Sequence, residues 1–157
     1  MTHAPAAEPL EAPDAEQAMA ALRERGMRIS AARRLVIEAV YEAKTPVSAE
    51  QIAAGLGGRL PGSDLGSVYR NLETLERAGL VRHFHAGHGP GLYALAGRAG
   101  GEYLVCESCG RVLEAKAGEL DRARELIRDR FGFEARFSHF PIVGLCEGCD
   151  GGGVGRS

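Results

Sequence analysis

Two cysteine pairs, Cys106-x-x-Cys109 and Cys146-x-x-Cys149, stand at the ends of a stretch, residues 110–145, that holds no other cysteine. A fold that uses all four must bring those ends together. Thiolates at Cys-x-x-Cys spacing sit on tight knuckles, and two knuckles side by side supply the four soft ligands of a tetrahedral zinc site. Gly110 follows the first pair and Gly148 lies inside the second, where sharp turns are needed. No cysteine is left over, as a closed structural site requires. Two disulfides conflict with the cytoplasmic setting argued below, and a thioredoxin-like redox pair needs a strand-to-helix turn that the pattern lacks. One zinc ion per chain is therefore expected, stapling the last strand of a small module to its first hairpin.

The 157-residue chain, 45% apolar and 25% charged, has room for one ordinary domain or two small ones. No apolar run approaches the roughly 20 residues that cross a bilayer. The first residues also lack the basic-then-apolar order of a signal peptide, so a cytoplasmic protein without a membrane partner is expected. The net charge of -2 conceals a partition. Residues 1–21 carry Glu8, Glu11, Asp14 and Glu16 and no Lys or Arg, whereas residues 22–82 carry ten bases against seven acids. That modest basic excess agrees with nucleic-acid binding and equally with a solvated mixed-charge surface.

Residues 1–14, rich in Ala, Pro and Glu, show no apolar period and read as a disordered tail. A first helix spans Ala15 to Arg25 and stops at Gly26. A second runs from Ser30 to about Ala43 with Ile37, Val40 and Tyr41 inward. Arg23, Arg25, Arg28, Arg33 and Arg34 gather at their joint, where they can clamp phosphates or simply keep a surface soluble. Ser48 with Gln51 forms a capping box that opens a third helix. The next helix, residues 63–79, repeats Leu65, Val68, Leu72 and Leu75 as an apolar stripe. Ser63, Ser67, Arg70, Asn71 and Thr74 gather on its opposite side. Those side chains suit phosphates and base edges in a DNA major groove; an ordinary solvated helix face has the same look. Helix, turn and polar-faced helix make a helix-turn-helix.

Beyond Gly79 the period becomes extended. Leu80–His85 and Leu92–Leu95 flank the turn-rich Ala86–Gly91 and read as a hairpin, the wing of a winged helix. Residues 97–101 read as a hinge. A module of strand, strand, helix and strand follows over residues 102–150, its helix, Gly118 to Arg130, burying Leu120, Ala123, Leu126 and Ile127. So small a core with a sheet edge to cover favours dimerisation. The expected fold is α+β: a winged helix-turn-helix DNA-binding domain over 15–96, the hinge, a small α/β dimerisation domain with a four-cysteine zinc site, and a flexible tail over 151–157.

Taken together, Gly26-Met27-Arg28-Ile29-Ser30-Ala31-Ala32-Arg33, Val47-Ser48-Ala49-Glu50, Ser67-Val68-Tyr69-Arg70-Asn71-Leu72, Ala78-Gly79-Leu80-Val81, the two Cys-x-x-Cys pairs and Gly144-Leu145-Cys146 resemble the ferric uptake regulator family. The resemblance implies a homodimeric regulator, usually a repressor, that binds palindromic operator DNA and responds to a divalent metal such as zinc, iron, manganese or nickel, or to peroxide. It implies recognition-helix contacts at Tyr69 and Arg70 and a minor-groove contact at Arg28; Ser30 and Arg33 fit the family pattern, while Ala32 stands where Gln or Pro is usual. Arg28, Arg33, Ser67, Tyr69, Arg70 and Asn71 form the candidate DNA-binding set.

The departure lies in the sensor for a second, regulatory ion. Tyr103 and Gly101 replace imidazoles of the family's His-x-His-x-x-Cys run, Pro46 stands for a hinge histidine, and Ala94 for a wing carboxylate. Glu102, Glu114, Asp121 and His139 survive. A displaced site using His83, His85 and His88 with Glu102, Glu114 and His139 is one reading; wing histidines facing phosphate or solvent is the other. Two readings from outside metal-controlled regulation remain: a DNA-binding regulator with a lost sensor, and a zinc-ribbon interaction module. No nucleophile and base stand at motif spacing, so an enzyme is not expected.

Overall fold

Four helices of the N-terminal half begin at a side-chain cap that the sequence supplies. In the computed structural model, which describes residues 7–85, 89–97, 102–137 and 141–150, Asp14 accepts from the Gln17 backbone N–H at 2.8 Å and opens α1 (Ala15–Glu24). Ser30 does the same for α2 (Ala31–Glu42), and Ser48 with Gln51 closes a reciprocal capping box on α3 (Ala49–Ala53). A helical turn, α4 (Gly55–Gly58), holds Leu56 and Gly57 in left-handed conformations and reverses the chain. Asp64 then caps α5 (Leu65–Arg77), accepting from Ser67 N–H at 2.8 Å. Strands β1 (Val81–Phe84) and β2 (Leu92–Leu95) pair as a hairpin, and Val47 bridges Tyr93 in antiparallel fashion.

The first of two compact units comprises Met1–His83 with Gly91–Ala99. Met19, Leu22, Ile37, Val68, Leu72 and Leu75 are fully buried in its core, fed by the inward stripes of α1, α2 and α5. Leu65, expected in the α5 stripe, is instead 39% exposed; it is the first residue of the helix.

The tail expectation needs correction for residues 7–14. Leu10 is buried, its N–H donates to the Gly79 carbonyl, and the Tyr41 hydroxyl donates to the Ala12 carbonyl. Gly79 has φ +82 and lies so close to the Glu8 carbonyl that a Cβ would overlap it. The segment is a strap over the ends of α5 and α2, held by one apolar anchor that a composition rich in Pro and Ala conceals. Residues 1–6 and 151–157 lie outside the described residues, as does most of the expected hinge.

The second unit comprises Phe84–Pro90 with Gly100–Ser157, so it takes Phe84 from the wing expected wholly within 15–96. Phe84 stacks on Tyr103, ring centroids 5.8 Å apart. Strands β3 (Glu102–Cys106) and β4 (Val112–Ala115) pair antiparallel, α6 (Asp121–Phe131) follows, and β5 (Ile142–Gly144) joins the other side of β3 in parallel, giving the order β4-β3-β5. A parallel return needs a long crossover, which the chain through β4 and α6 supplies. Helix α7 (Glu147–Asp150) closes the described chain. The expected buried stripe of α6 is not found within one chain: none of its residues is buried, and Leu126 is 63% exposed.

Candidate metal centre and nucleic-acid interface

The β3–β5 register builds the cysteine site. Cys106, the last residue of β3, pairs with Gly144, the last of β5, so Cys146 emerges beside it and its N–H donates to Cys106 Sγ at 3.4 Å. Gly110 N–H returns to the Cys106 carbonyl and Cys149 N–H to the Cys146 carbonyl, both at 2.9 Å, which closes the two knuckles. The four Sγ atoms lie within 4.8 Å of one another, with Cys109 and Cys146 3.7 Å apart. Sulfurs at the corners of a tetrahedron with Zn–S near 2.3 Å stand about 3.8 Å apart, so the donor set fits zinc. The same spacing is far from the ~2.05 Å of a disulfide, and all four cysteines are free thiols.

The sulfurs also differ electrostatically. Cys106 is drawn down to about 6, chiefly by the backbone N–H of Cys109 and then that of Cys146. At Cys149 the Ser108 hydroxyl favours the thiolate, but hydrogen bonds with the sulfurs of Cys146, Cys109 and Cys106 outweigh it and push the thiol up to about 12. Sulfurs this close cannot all ionise alone, and a divalent cation removes that conflict.

In the first unit, α5 presents Tyr69 and Arg70 outward, 41% exposed for Tyr69 and 75% for the Arg70 side chain. The Tyr69 hydroxyl donates to Glu50 Oε1 of α3 at 2.7 Å, and that bond holds the Glu50 carboxyl below its ordinary value and the phenol above its own. Arg28 is exposed, whereas Arg33 is partly covered. Arg33 Nε donates to Asn71 Oδ1 at 3.0 Å and its Nη1 to the Arg28 carbonyl at 2.7 Å. Asn71 is 8% exposed and its amide donates to the Ser67 carbonyl. Asn71 therefore does not stand on the outer face where the helical pattern placed it; it faces α2. Of the other arginines at the α1–α2 joint, Arg34 pairs with Glu16 and Glu38, and Arg25 donates to the Ala78 carbonyl.

Among the described residues the cysteine tetrad is the only group of three or more His, Cys, Asp or Glu side chains whose ligand atoms converge. The displaced histidine site is not assembled there. His83 stacks on Tyr93, centroids 4.5 Å apart and 6° from parallel, and its imidazole packs against Gly91, where a Cβ would overlap it. Glu114 is exposed on β4. Glu102 pairs with Arg124, which also holds Asp121 at 2.7 Å. His88 and His139 lie outside the described residues. Glu50 and Arg124 were not among the candidates; Glu50 lies in a quoted motif, while nothing in the sequence pattern distinguishes Arg124 from the other arginines of α6.

The family model of the ferric uptake regulator family matches residues 24–140. The chain belongs to that family. Its members are transcription regulators, and this one is a regulator and not an enzyme. The peroxide operon regulator of Bacillus subtilis (strain 168) is 25% identical over 140 residues, covering 89% of this chain and 96% of its own. The ferric uptake regulator of Pseudomonas aeruginosa, solved with manganese, is 27% identical with a TM-score of 0.58 over 82% of this chain and 97% of its own. The Helicobacter pylori ferric uptake regulator, described as having three functional metal-binding sites, shares the fold with a TM-score of 0.64 at 19% identity, over 86% of this chain and 90% of its own. No helix among the described residues is long and apolar enough to cross a membrane.

Proposed function

We propose that this chain is a dimeric, cytoplasmic regulator of the ferric uptake regulator family that binds palindromic operator DNA as a repressor and answers to a divalent metal or to peroxide. Zinc, held by Cys106, Cys109, Cys146 and Cys149, maintains the second unit. The observation that carries the reading is the outer face of α5, where a capped helix in a helix-turn-helix offers Tyr69 and Arg70 to solvent. An exposed arginine and tyrosine on such a helix suit a major groove. Arg28 adds a cation beside α2, and phosphate contacts of this kind make affinity salt-dependent. Ser67, half-buried in the first turn, and Arg33 complete the support of that face.

Dimerisation is supported by the second unit, which exposes Leu126 (63%), Phe131 (72%) and Phe133 (66%), a cost in water that a partner surface removes. The regulatory ion is taken from the relatives, which include peroxide and iron regulators. Selection of random duplexes by the zinc-loaded protein, followed by anisotropy titration, tests the reading. Enrichment of an inverted repeat bound by a dimer is expected. Binding that selects no sequence, or none at all with and without added metal, would overturn it.

A further inference from the structure

The acidic pair Glu102 and Asp121 already has a cation. Glu102 starts β3, and its side chain is 13% exposed; Arg124 lies one turn into α6 and is 22% exposed. One end of the guanidinium, Nη2, pairs with Glu102 Oε1, and the other, Nη1, donates to Asp121 Oδ1 at 2.7 Å. The guanidinium carbon of Arg124 lies over the Phe137 ring, 5.3 Å from its centroid. Strand, helix and the segment that follows α6 thus meet on one side chain.

A divalent ion at Glu102 and Asp121 would have to take both carboxylates from Arg124. The guanidinium cannot lose its charge, so it would remain partly buried, unpaired and beside the incoming ion. Two like charges about 4 Å apart repel even at surface dielectric. Nor do these two carboxylates meet a third His, Cys, Asp or Glu ligand among the described residues. Two carboxylates would leave most of a hard divalent ion's coordination positions to water, a weaker hold than a site with further protein donors gives.

We propose that Arg124 is the resident cation of the second unit: its guanidinium takes Glu102 and Asp121, so that these carboxylates form a metal-independent staple between β3 and α6 and are not the seat of a regulatory ion. An ion that controls the protein draws its ligands from elsewhere in the chain. The inference stands on this geometry and not on operator binding, so it is tested without DNA.

The full zinc-loaded chain, its Glu102→Gln, Asp121→Asn and Arg124→Gln variants and the Glu102→Gln/Arg124→Gln double variant are titrated with Mn2+ and Co2+, bound metal being counted by atomic emission, and their melting is followed. The conservative Arg124→Lys variant is melted alongside. The expected result is one retained zinc per chain, and either no further ion in the native sequence or one whose affinity Glu102→Gln and Asp121→Asn leave within about twofold. Arg124→Gln lowers the melting temperature, Arg124→Lys recovers part of the loss, and the Glu102→Gln and Arg124→Gln losses are non-additive. Removal of a true ligand should weaken an ion by about tenfold or more, since even the loss of a ligand's supporting hydrogen bond costs that much. A loss of that size for Mn2+ or Co2+ on Glu102→Gln or Asp121→Asn, or additive melting shifts, would overturn the proposal.

Discussion

Arg33 Nε donates to Asn71 Oδ1 at 3.0 Å, joining α2 to α5 through two side chains that would otherwise both suit DNA. Each has a further bond inward, Arg33 to the Arg28 carbonyl and Asn71 to the Ser67 carbonyl. The pair is thus a strut that sets where Arg28 and the outer face of α5 stand. Double-mutant analysis with Arg33→Ala and Asn71→Ala should give a coupling of about 0.5–3 kcal/mol in urea unfolding. Asn71→Ala should weaken binding by a similar factor for every operator variant. A loss confined to one base pair would make Asn71 a reader of sequence.

Arg70 is the opposite case, with only a 3.9 Å pairing to Asp64 and a mostly exposed side chain. Arg70→Ala should reduce operator affinity. If its role is a phosphate contact, the slope of log affinity against log salt falls by about one; if it reads a guanine, discrimination at one position falls by about 1–3 kcal/mol. Anisotropy titrations over several salt concentrations and operator variants separate the two.

The Tyr69–Glu50 bond makes a pH prediction whose sign is fixed by its direction. Tyr69 donates to the Glu50 carboxylate, so the folded carboxyl titrates below its ordinary 4.5. A depressed carboxyl stabilises the fold fully above its unfolded value and loses that contribution as pH falls through its folded one. Tyr69→Phe should therefore melt below the native protein at neutral pH, with the gap closing in acid below the ordinary carboxyl range. Both groups lie at the surface, so the gap is small and shrinks with salt. A gap that widens in acid would contradict the arrangement.

The strap over Gly79 leads to a paired prediction. Gly79→Ala suffers twice, from a positive φ that costs a side-chain residue about 1–3 kcal/mol and from overlap with the Glu8 carbonyl. Removing residues 1–13 should itself destabilise the first unit, because buried Leu10 and the bonds at Gly79 and Ala12 go with it. In the shortened chain, however, Gly79→Ala should cost less, since only the φ term is left. Equal costs in both chains, measured by thermal melting, would mean that the strap does not press on Gly79.

Signals that act over a few residues could be read in the sequence. Ser48 with Gln51 closes in the structure the capping box that its spacing predicts, and the cysteine knuckles likewise depend on spacing alone. Features set by distant neighbours could not. Asn71 sits at the margin of the α5 stripe, where only the position of Arg33 decides between inside and outside. Leu126 looks like core on a helical wheel, yet it is exposed, and no element among the described residues buries it. Arg124 differs from Arg122 and Arg128 only in where β3 delivers Glu102.

The cysteine site has the largest predicted effect. In the second unit, α6 contributes no buried side chain, and among the described residues the buried apolar side chains are those of Tyr103, Val105, Cys106, Ala115 and Ala135 with Phe84. A core of that size needs a staple, and structural zinc in small domains supplies about 10–16 kcal/mol at neutral pH. Cys146→Ser should reduce zinc from one per chain to none, release β5 from β3 and abolish the dimer. Unit one, with Met19, Ile37 and Leu72 in a core of its own, should keep its helices. Strong chelation should produce the same state, and acid should favour it, because protons compete with the ion for the thiolates. Sedimentation and circular dichroism on the native and Cys146→Ser proteins check this. A metal-free protein that stays dimeric and melts unchanged would show that the four sulfurs do not hold the unit together.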